Sequence, residues 1–416
     1  MTEASAGIDL LPHIRPGDTV IWGQAHAQPL SLIKALVRQR RQIGHARVFL
    51  GIGHDLDEVL TPEHADHLEF FGYCAAGSNR RLVKAGAMDI IPIHYSEMAR
   101  RMRDGSLRMD VVFLQLPAPD GQGRYSMGMC RDYIVAALAS ARTVIAEVDD
   151  TLPWTNGGPY LDAGQIDLLV KTTDRQPAPA PHVASPVEEA IARHAAGMIP
   201  DGATLQTGIG ILPDVVLGAL TRHRDLGMHT GNLGDGTVLL AEAGALTNSR
   251  KTIDPGIIVC SMVQGGERLR RFVHRNAGLE MRPVEYTHAA ATLARIDRFV
   301  AINGAIEVDL TGQINSEIAG GHYVGAVGGA LDFVRGASSS SGGIPIIVLP
   351  STARGRSRIV HALSGPATVP RSDACVIVTE HGVADLRGLT LRQRVVRMLA
   401  IADPAHRKAL EQAAAG

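Results

Sequence analysis

Short apolar runs recur along this chain, and stretches with helical character separate them. Thr19–Trp22, Arg47–Leu50, Asp89–Ile93, Val111–Leu116, Thr143–Val148 and Asp167–Val170 read as strands, with helices such as Pro29–Gln42 and Asp132–Ala141 between them. The pattern resumes later with Thr204–Thr207, Ile257–Val263, Phe299–Ile302, Ile344–Leu349 and Ala374–Thr379. Continuous runs of roughly four to eight apolar residues suit strands buried on both faces, which means parallel sheets covered by helices. The expected fold class is therefore α/β.

At 416 residues the chain is long enough for two domains of about 100–200 residues each. The clearest linker is Thr173–Glu188, TDRQPAPAPHVASPVE, which carries four prolines and no apolar periodicity. It divides the chain into domains 1–180 and 187–416. An internal echo supports two related halves. Pro16-Gly17-Asp18-Thr19-Val20 opens a strand followed by Gly23 and a helix near Pro29; Pro200-Asp201-Gly202-Ala203-Thr204 opens another, followed by Gly208-Ile209-Gly210 and a helix near Pro213. Both prolines fit a first helical turn, where no N–H is needed.

Composition excludes several classes. Hydrophobic residues make up 45% and charged residues 20%, so the chain is not disordered. Lys plus Arg number 41 against 42 for Asp plus Glu, leaving no basic field for a nucleic acid or an anionic membrane. Cys74, Cys130, Cys260 and Cys375 lack metal-ligand spacing and read as reduced thiols of a cytoplasmic protein. The 17 histidines form no metal-binding motif, so no metal is expected. The N-terminal stretch does not read as a signal peptide, and no run reaches the ~20 apolar residues of a membrane span.

Several loops could carry chemistry. Gly208-Ile209-Gly210 reads either as a tight turn or as backbone amides offered to an anion. Gly325, Gly328 and Gly329 read either as amides left uncovered for a phosphate, a carbonyl or an oxyanion, or as a loop that needs positive φ for packing alone. Ser338–Gly343 reads as a flexible low-complexity loop. Arg354, Arg356 and Arg358 could meet a phosphorylated ligand or stand in solvent. Glu307 and Asp309 share one strand face, ordinarily a solvated one. His229 stands at a probable strand end, as a base or as a structural histidine.

Together these segments resemble the acetyl-CoA hydrolase/transferase family, especially its 4-hydroxybutyrate CoA-transferase branch. The matching stretches are 111–128, VIAEVDDTLPWTNG (144–157), DGATLQTGIGILPDVVL (201–217), AINGAIEVDLTGQIN (301–315), YVGAVGGALDFVRGAS (323–338), PSTARGRSRIVHAL (350–363) and VTEHGVADLRG (378–388). The resemblance implies two similar open α/β domains, as in class I CoA-transferases, with the active site at their interface. It implies coenzyme A as part of an acyl-CoA substrate, possession of a small-carboxylate acceptor in the transferase case, and a homodimer. In this family a glutamate following His-Thr attacks the acyl-CoA carbonyl and carries the acyl group, then CoA, covalently.

Here that segment reads His229-Thr230-Gly231-Asn232, and the nucleophile's place falls on Gly231. The resemblance thus implies catalytic positions at His229, Gly231, Asn232 and Asn303, and CoA contacts at Gly325, Gly328, Gly329, Asp332, Ser351, Thr352, Ser357 and Arg358. Further departures are Pro117-Ala118-Pro119-Asp120 for a Ser-Pro-Pro-Asp sequence, Gly304 for a small hydroxyl residue and Ala330 for a glutamine. A glycine at 231 is expected to open a space of about one side chain, in which a water could attack. Water-dependent hydrolysis or C–C cleavage of an acyl-CoA is the leading expectation. A carboxylate CoA-transferase and a non-catalytic acyl-CoA binder are the alternatives.

Overall fold

The computed structural model describes residues 7–171, 174, 179 and 182–415. Much of the proline-rich linker therefore lies outside the described residues. Its last residues begin a helix, Pro186–Ala196, in which Ser185 and Glu188 form a capping box. The Ser-Pro-Val-Glu spacing carried that signal.

The chain forms two compact units. One comprises 1–179, 261–286 and 323–328; the other comprises 180–260, 287–322 and 329–416. The division differs from a single cut at the linker, because two later segments join the first unit.

The first unit is built on seven strands: β1 (Thr19–Trp22), β2 (Ala46–Leu50), β3 (Leu68–Gly72), β4 (Met88–Ile90), β5 (Val111–Leu116), β6 (Thr143–Val148) and β7 (Leu168–Lys171). They pair in the order β4-β3-β2-β1-β5-β6-β7, all parallel. Val20 pairs with Val48 on one side and Val111 on the other, and Ile21 pairs with Phe49 and Val112. Val20, Val48 and Val111 enter one apolar cluster, while Ile21, Phe49 and Val112 enter another on the opposite face. This two-sided burial is why the strands read as unbroken apolar runs. Helix Leu30–Ile43 covers the first face with Leu32, Ile33 and Leu36.

The late segments are fastened into this unit by backbone bonds. Val263 N donates to Met129 O at 2.9 Å, and Arg131 N donates to Ser261 O at 2.8 Å. Ala75 N donates to Gly325 O at 3.0 Å, and Tyr95 N to Gly328 O at 3.0 Å. Met262 and Val284 contribute to the second-face core.

The second unit has six strands: β8 (Thr204–Thr207), β9 (Gly227–Met228), β10 (Phe299–Gly304), β11 (Ile344–Val348), β12 (Val376–Thr379) and β13 (Gly382–Asp385). Their order is β9-β8-β10-β11-β12-β13, parallel except for the β12–β13 edge pair. The run Ile257–Val263 does not join this sheet. It splits into Ile258–Cys260 and Met262–Val263, each paired outside it.

Two readings are corrected. Ser338 and Ser339 end helix Ala330–Ser339, and Ser340 Oγ accepts from Phe299 N at 3.0 Å, so the serine run is tied down. Glu307 and Asp309 are buried rather than solvated. Glu307 accepts from Asn315 Nδ2 at 2.9 Å, and Asp309 gathers the amides of Thr311 and Gln313 at 2.8 and 2.9 Å. All four cysteines are buried and unbonded. Among the described residues no helix is long and apolar enough to cross a membrane.

Candidate active site

In open α/β sheets, ligands gather at the carboxyl ends of the strands where the strand order reverses. In the second unit that point lies between β8 and β10. Gly208 follows β8, His229 and Gly231 follow β9, and Asn303 lies near the end of β10. The structure thus gathers three sequence-predicted positions, His229, Gly231 and Asn303, at one switch point. Asn232 opens a separate short strand, Asn232–Leu233, and is 9% exposed.

The space expected at Gly231 is not open. A Cβ built there would meet His288 Cε1 at 2.8 Å, His288 Nε2 at 3.0 Å and Phe333 Cε2 at 3.6 Å. The imidazole of His288 stands where the first atoms of any side chain at 231 would go. Its ring packs on Phe333 with centroids 4.4 Å apart, and its Nδ1 lies 2.9 Å from Thr287 Oγ1. Helix Ala330–Ser339 supplies Phe333, so the site's floor is set by that helix. The expectation of a vacancy is therefore corrected: the glycine makes room for a histidine, not for a water at the Cβ position.

His229 is fully buried, and its Nε2 lies 3.2 Å from the Thr287 carbonyl, so it anchors the segment that carries His288. With Nε2 turned inward, its reading as the residue that orients a water gives way to a structural one. Burial, with the nearby His229 adding to it, holds the His288 pKa down to about 3, so the ring is neutral at physiological pH. Because folding keeps this imidazole neutral, its contribution to stability is complete above the ordinary histidine value of ~6.5 and is lost as pH falls toward 3. A His288→Asn variant should accordingly lose less stability than the parent between pH 6.5 and 4, read as the pH dependence of urea midpoints.

Asn303 and Gln206 hold each other through both amide groups: Gln206 Nε2 donates to Asn303 Oδ1 at 3.2 Å, and Asn303 Nδ2 donates to Gln206 Oε1 at 2.9 Å. A Cβ at Gly208 would lie 2.7 Å from Asn303 Oδ1, so the Gly-Ile-Gly turn is explained by close packing. Asp214, one turn into helix Ile211–Gly218, accepts from Gly236 N at 2.8 Å, and burial raises its pKa to about 6.

The expected CoA contacts divide between the units. Gly325 and Gly328 belong to the first, while Gly329, which caps helix Ala330–Ser339, and Asp332 in its first turn belong to the second. Thr352 and Ser357 pair across a hairpin that also brings Ser351 and Arg358 together. Ser351 donates its N–H at 2.8 Å and its hydroxyl at 2.7 Å to Glu380. Ser357 Oγ donates to Ile359 O at 2.6 Å, and Arg358 Nε to Ile306 O at 2.6 Å. Arg354 and Arg356 remain exposed at the turn. Sequence reasoning missed His288, Gln206 and Glu380. Only the glycine at 231 hinted at the first of these, since something must fill the place of a missing side chain.

The comparisons agree along nearly the whole chain. The acetyl-CoA hydrolase/transferase N-terminal domain model matches residues 5–170, and the corresponding C-terminal domain model matches 265–414. A 4-hydroxybutyrate coenzyme A transferase of Clostridium kluyveri is 36% identical over 94% of this chain and 92% of its own length. The crystal structure of RipA from Yersinia pestis matches with a TM-score of 0.92 at 32% identity, covering 97% of this chain and 95% of that one. A 4-hydroxybutyrate CoA-transferase structure from Porphyromonas gingivalis matches with a TM-score of 0.84 at 33% identity, covering 98% and 95%.

Proposed function

The chain belongs to the acetyl-CoA hydrolase/transferase family and is an enzyme of CoA thioesters, and from that premise we propose that it cleaves an acyl-CoA without a covalent acyl-enzyme. One observation carries this reading: residue 231 is glycine, and the His288 imidazole fills the place of its side chain. A carboxylate relay cannot start from this position, which supports an attacking oxygen supplied by a second molecule.

Water is that molecule in the reading we favour. Its oxygen bonds to the thioester carbon, and the C–S bond breaks. One of its protons ends on the CoA sulfur, and the acid leaves as a carboxylate with release of the other. The neutral, buried surroundings of Gly231 suit attack on an uncharged thioester. The names of the relatives favour a second reading, direct attack by an acceptor carboxylate. That route forms a mixed anhydride and a CoA thiolate, which then attacks the acceptor's carbonyl carbon and expels the first acid. We further propose that the CoA moiety is held by the segments around Gly325–Asp332 and Ser351–Arg358. The buried thiols support a reducing compartment, and we propose that the enzyme acts in the cytoplasm as a homodimer.

The test measures free thiol from a panel of acyl-CoAs with and without acetate, followed by hydroxylamine or borohydride treatment. Hydrolysis releases thiol without acetate, and no adduct forms on the protein. Acyl exchange that requires acetate selects the second reading. An enzyme-bound thioester on any residue would overturn both, and no reaction with any acyl-CoA would leave a binding protein.

A further inference from the structure

Glu147 is a fully buried acid in the first unit, apart from the residues assigned to the thioester. It is the penultimate residue of β6, and its register partners are Gln115 on β5 and Val170 on β7. Side chains in register on neighbouring strands share a face. Glu147 therefore stands beside Gln115, on the face that carries Phe113 and Ile145. Helix Leu30–Ile43 covers this face and starts over the carboxyl group: Ser31 N donates to Glu147 Oε2 at 2.9 Å and Leu32 N at 3.3 Å.

The other carboxyl oxygen is the informative one. Among the described residues Glu147 Oε1 is buried without a hydrogen-bond partner, and so is Gln115 Oε1. Two orphaned acceptors at neighbouring places on one buried face are costly, and a single proton removes the cost. A protonated carboxyl donates from one oxygen and still accepts at the other. The surrounding charges favour that proton. Asp149 follows β6, and Asp174 lies at the helix start, where Ser31 Oγ donates to it at 2.8 Å. Lys34 of the same helix is answered by Asp174, with Nζ 3.3 Å from Oδ1. The flanking strands add no charge to this face, since Gln115 and Val170 do not ionise. Burial pushes the Glu147 carboxyl up to about 8; the two amides pull it down, and the Asp174 and Asp149 charges add to the rise.

We propose that Glu147 is protonated in the native protein and that its Oε1 hydroxyl donates to Gln115 Oε1, forming a proton pin between helix Leu30–Ile43 and the sheet that alkali withdraws. The strand order reverses between β1 and β5, and this helix follows β1, so the pin sits at the switch point of the unit. A helix N-terminus ordinarily favours an anion. Here burial among uncharged side chains wins, and the carbonyl oxygen of a neutral acid satisfies the two amides. Removing the proton sets a carboxylate oxygen against the Gln115 oxygen, a clash that the side-chain amide relieves by turning over. Folding raises this pKa, so the stability it contributes is complete below the ordinary value of 4.5 and is lost as pH rises to about 8.

Urea unfolding of the full chain and of Glu147→Gln, from about pH 5 to about pH 9, tests this, because the introduced amide reproduces the neutral acid at every pH. Other titrations are common to both proteins and cancel in the comparison. The unfolding constant of the parent should rise at least about tenfold relative to that of the variant across this range, the effect of a shift of about one pKa unit alone. Infrared difference spectra of the parent on either side of about pH 8 should show one protonated-carboxyl C=O band disappear, and the variant should lack that band. Gln115→Met should move the band, because the hydroxyl loses its acceptor. A ratio of unfolding constants that stays level or falls with pH overturns the proposal, since Glu147 would then be an anion held by a turned-over Gln115 amide. So does a parent without the band, or a Glu147→Gln chain that fails to fold near neutral pH. A band that Gln115→Met leaves in place overturns the pairing with Gln115.

Discussion

A Gly231→Glu variant should gain no transferase turnover and should lose stability. A side chain at this position, where the resemblance implies the nucleophile, brings its Cβ to within 2.8 Å of His288 Cε1 and 3.0 Å of His288 Nε2. The ring cannot yield cheaply, because it is packed against Phe333 and the neighbouring Thr287 is bonded to His229. Overpacking of this kind costs about 1–3 kcal/mol, readable as a fall in the urea midpoint. The double variant Gly231→Glu, His288→Ala removes the obstruction. It should recover stability relative to the single variant and form a hydroxylamine-sensitive adduct with acyl-CoA. Two changes that each fail alone and succeed together would be strongly non-additive, as expected for groups sharing one volume. A single Gly231→Glu protein that is fully stable and forms the adduct would contradict the geometry.

The second large effect is expected far from that point, at Gly157. Its φ is +122°, a conformation that side chains rarely adopt. A Cβ there would run into the Met281 carbonyl oxygen, and would lie 3.0 Å from both the carbonyl carbon and the amide nitrogen of Met281. This is backbone against backbone, so no rotamer change relieves it. The same stretch is zipped to the inserted segment by Met281 N to Asn156 O at 2.8 Å and Arg275 N to Trp154 O at 2.8 Å. Gly157→Ala should therefore destabilise the protein by about 3 kcal/mol, in the range of combined strain and lost buried contacts. A shift in the denaturation midpoint of less than a quarter of that would show that the segment moves aside freely.

The fold was readable where burial leaves a one-dimensional mark. Val111–Leu116 and Thr143–Val148 are apolar on both faces, and both appear as central strands. Leu68–Gly72 escaped notice because exposed Glu69 interrupts its run at the pairing with Arg47. Local chemistry could also be misread when its partners lie far along the chain. Glu307 looked solvated from its alternation, yet it closes onto Ser364, N to Oε1 at 2.6 Å. At the candidate site the sequence showed a glycine at 231, where the family resemblance implies a carboxylate, but not which neighbour occupies the space beside it. A glycine reads as empty space until the neighbour that fills it is known, and nothing local to Tyr286-Thr287-His288 points across to residue 231. The bond of Arg131 to Ser261 was hidden for the same reason, since it depends on a segment that returns to the first unit after residue 260.

That return has a bearing on how the protein is made. The amino-terminal unit lacks Met262, Val284 and the Gly325–Gly328 stretch until synthesis has passed residue 328. At translation speeds of roughly 5–20 residues per second, its sheet waits with part of one face uncovered for on the order of ten to thirty seconds beside the ribosome. A fragment ending at the proline-rich stretch would remain in that unfinished condition permanently, with apolar surface left uncovered, so the shielding a nascent chain receives in this interval matters more here than in a protein whose domains are completed one after the other.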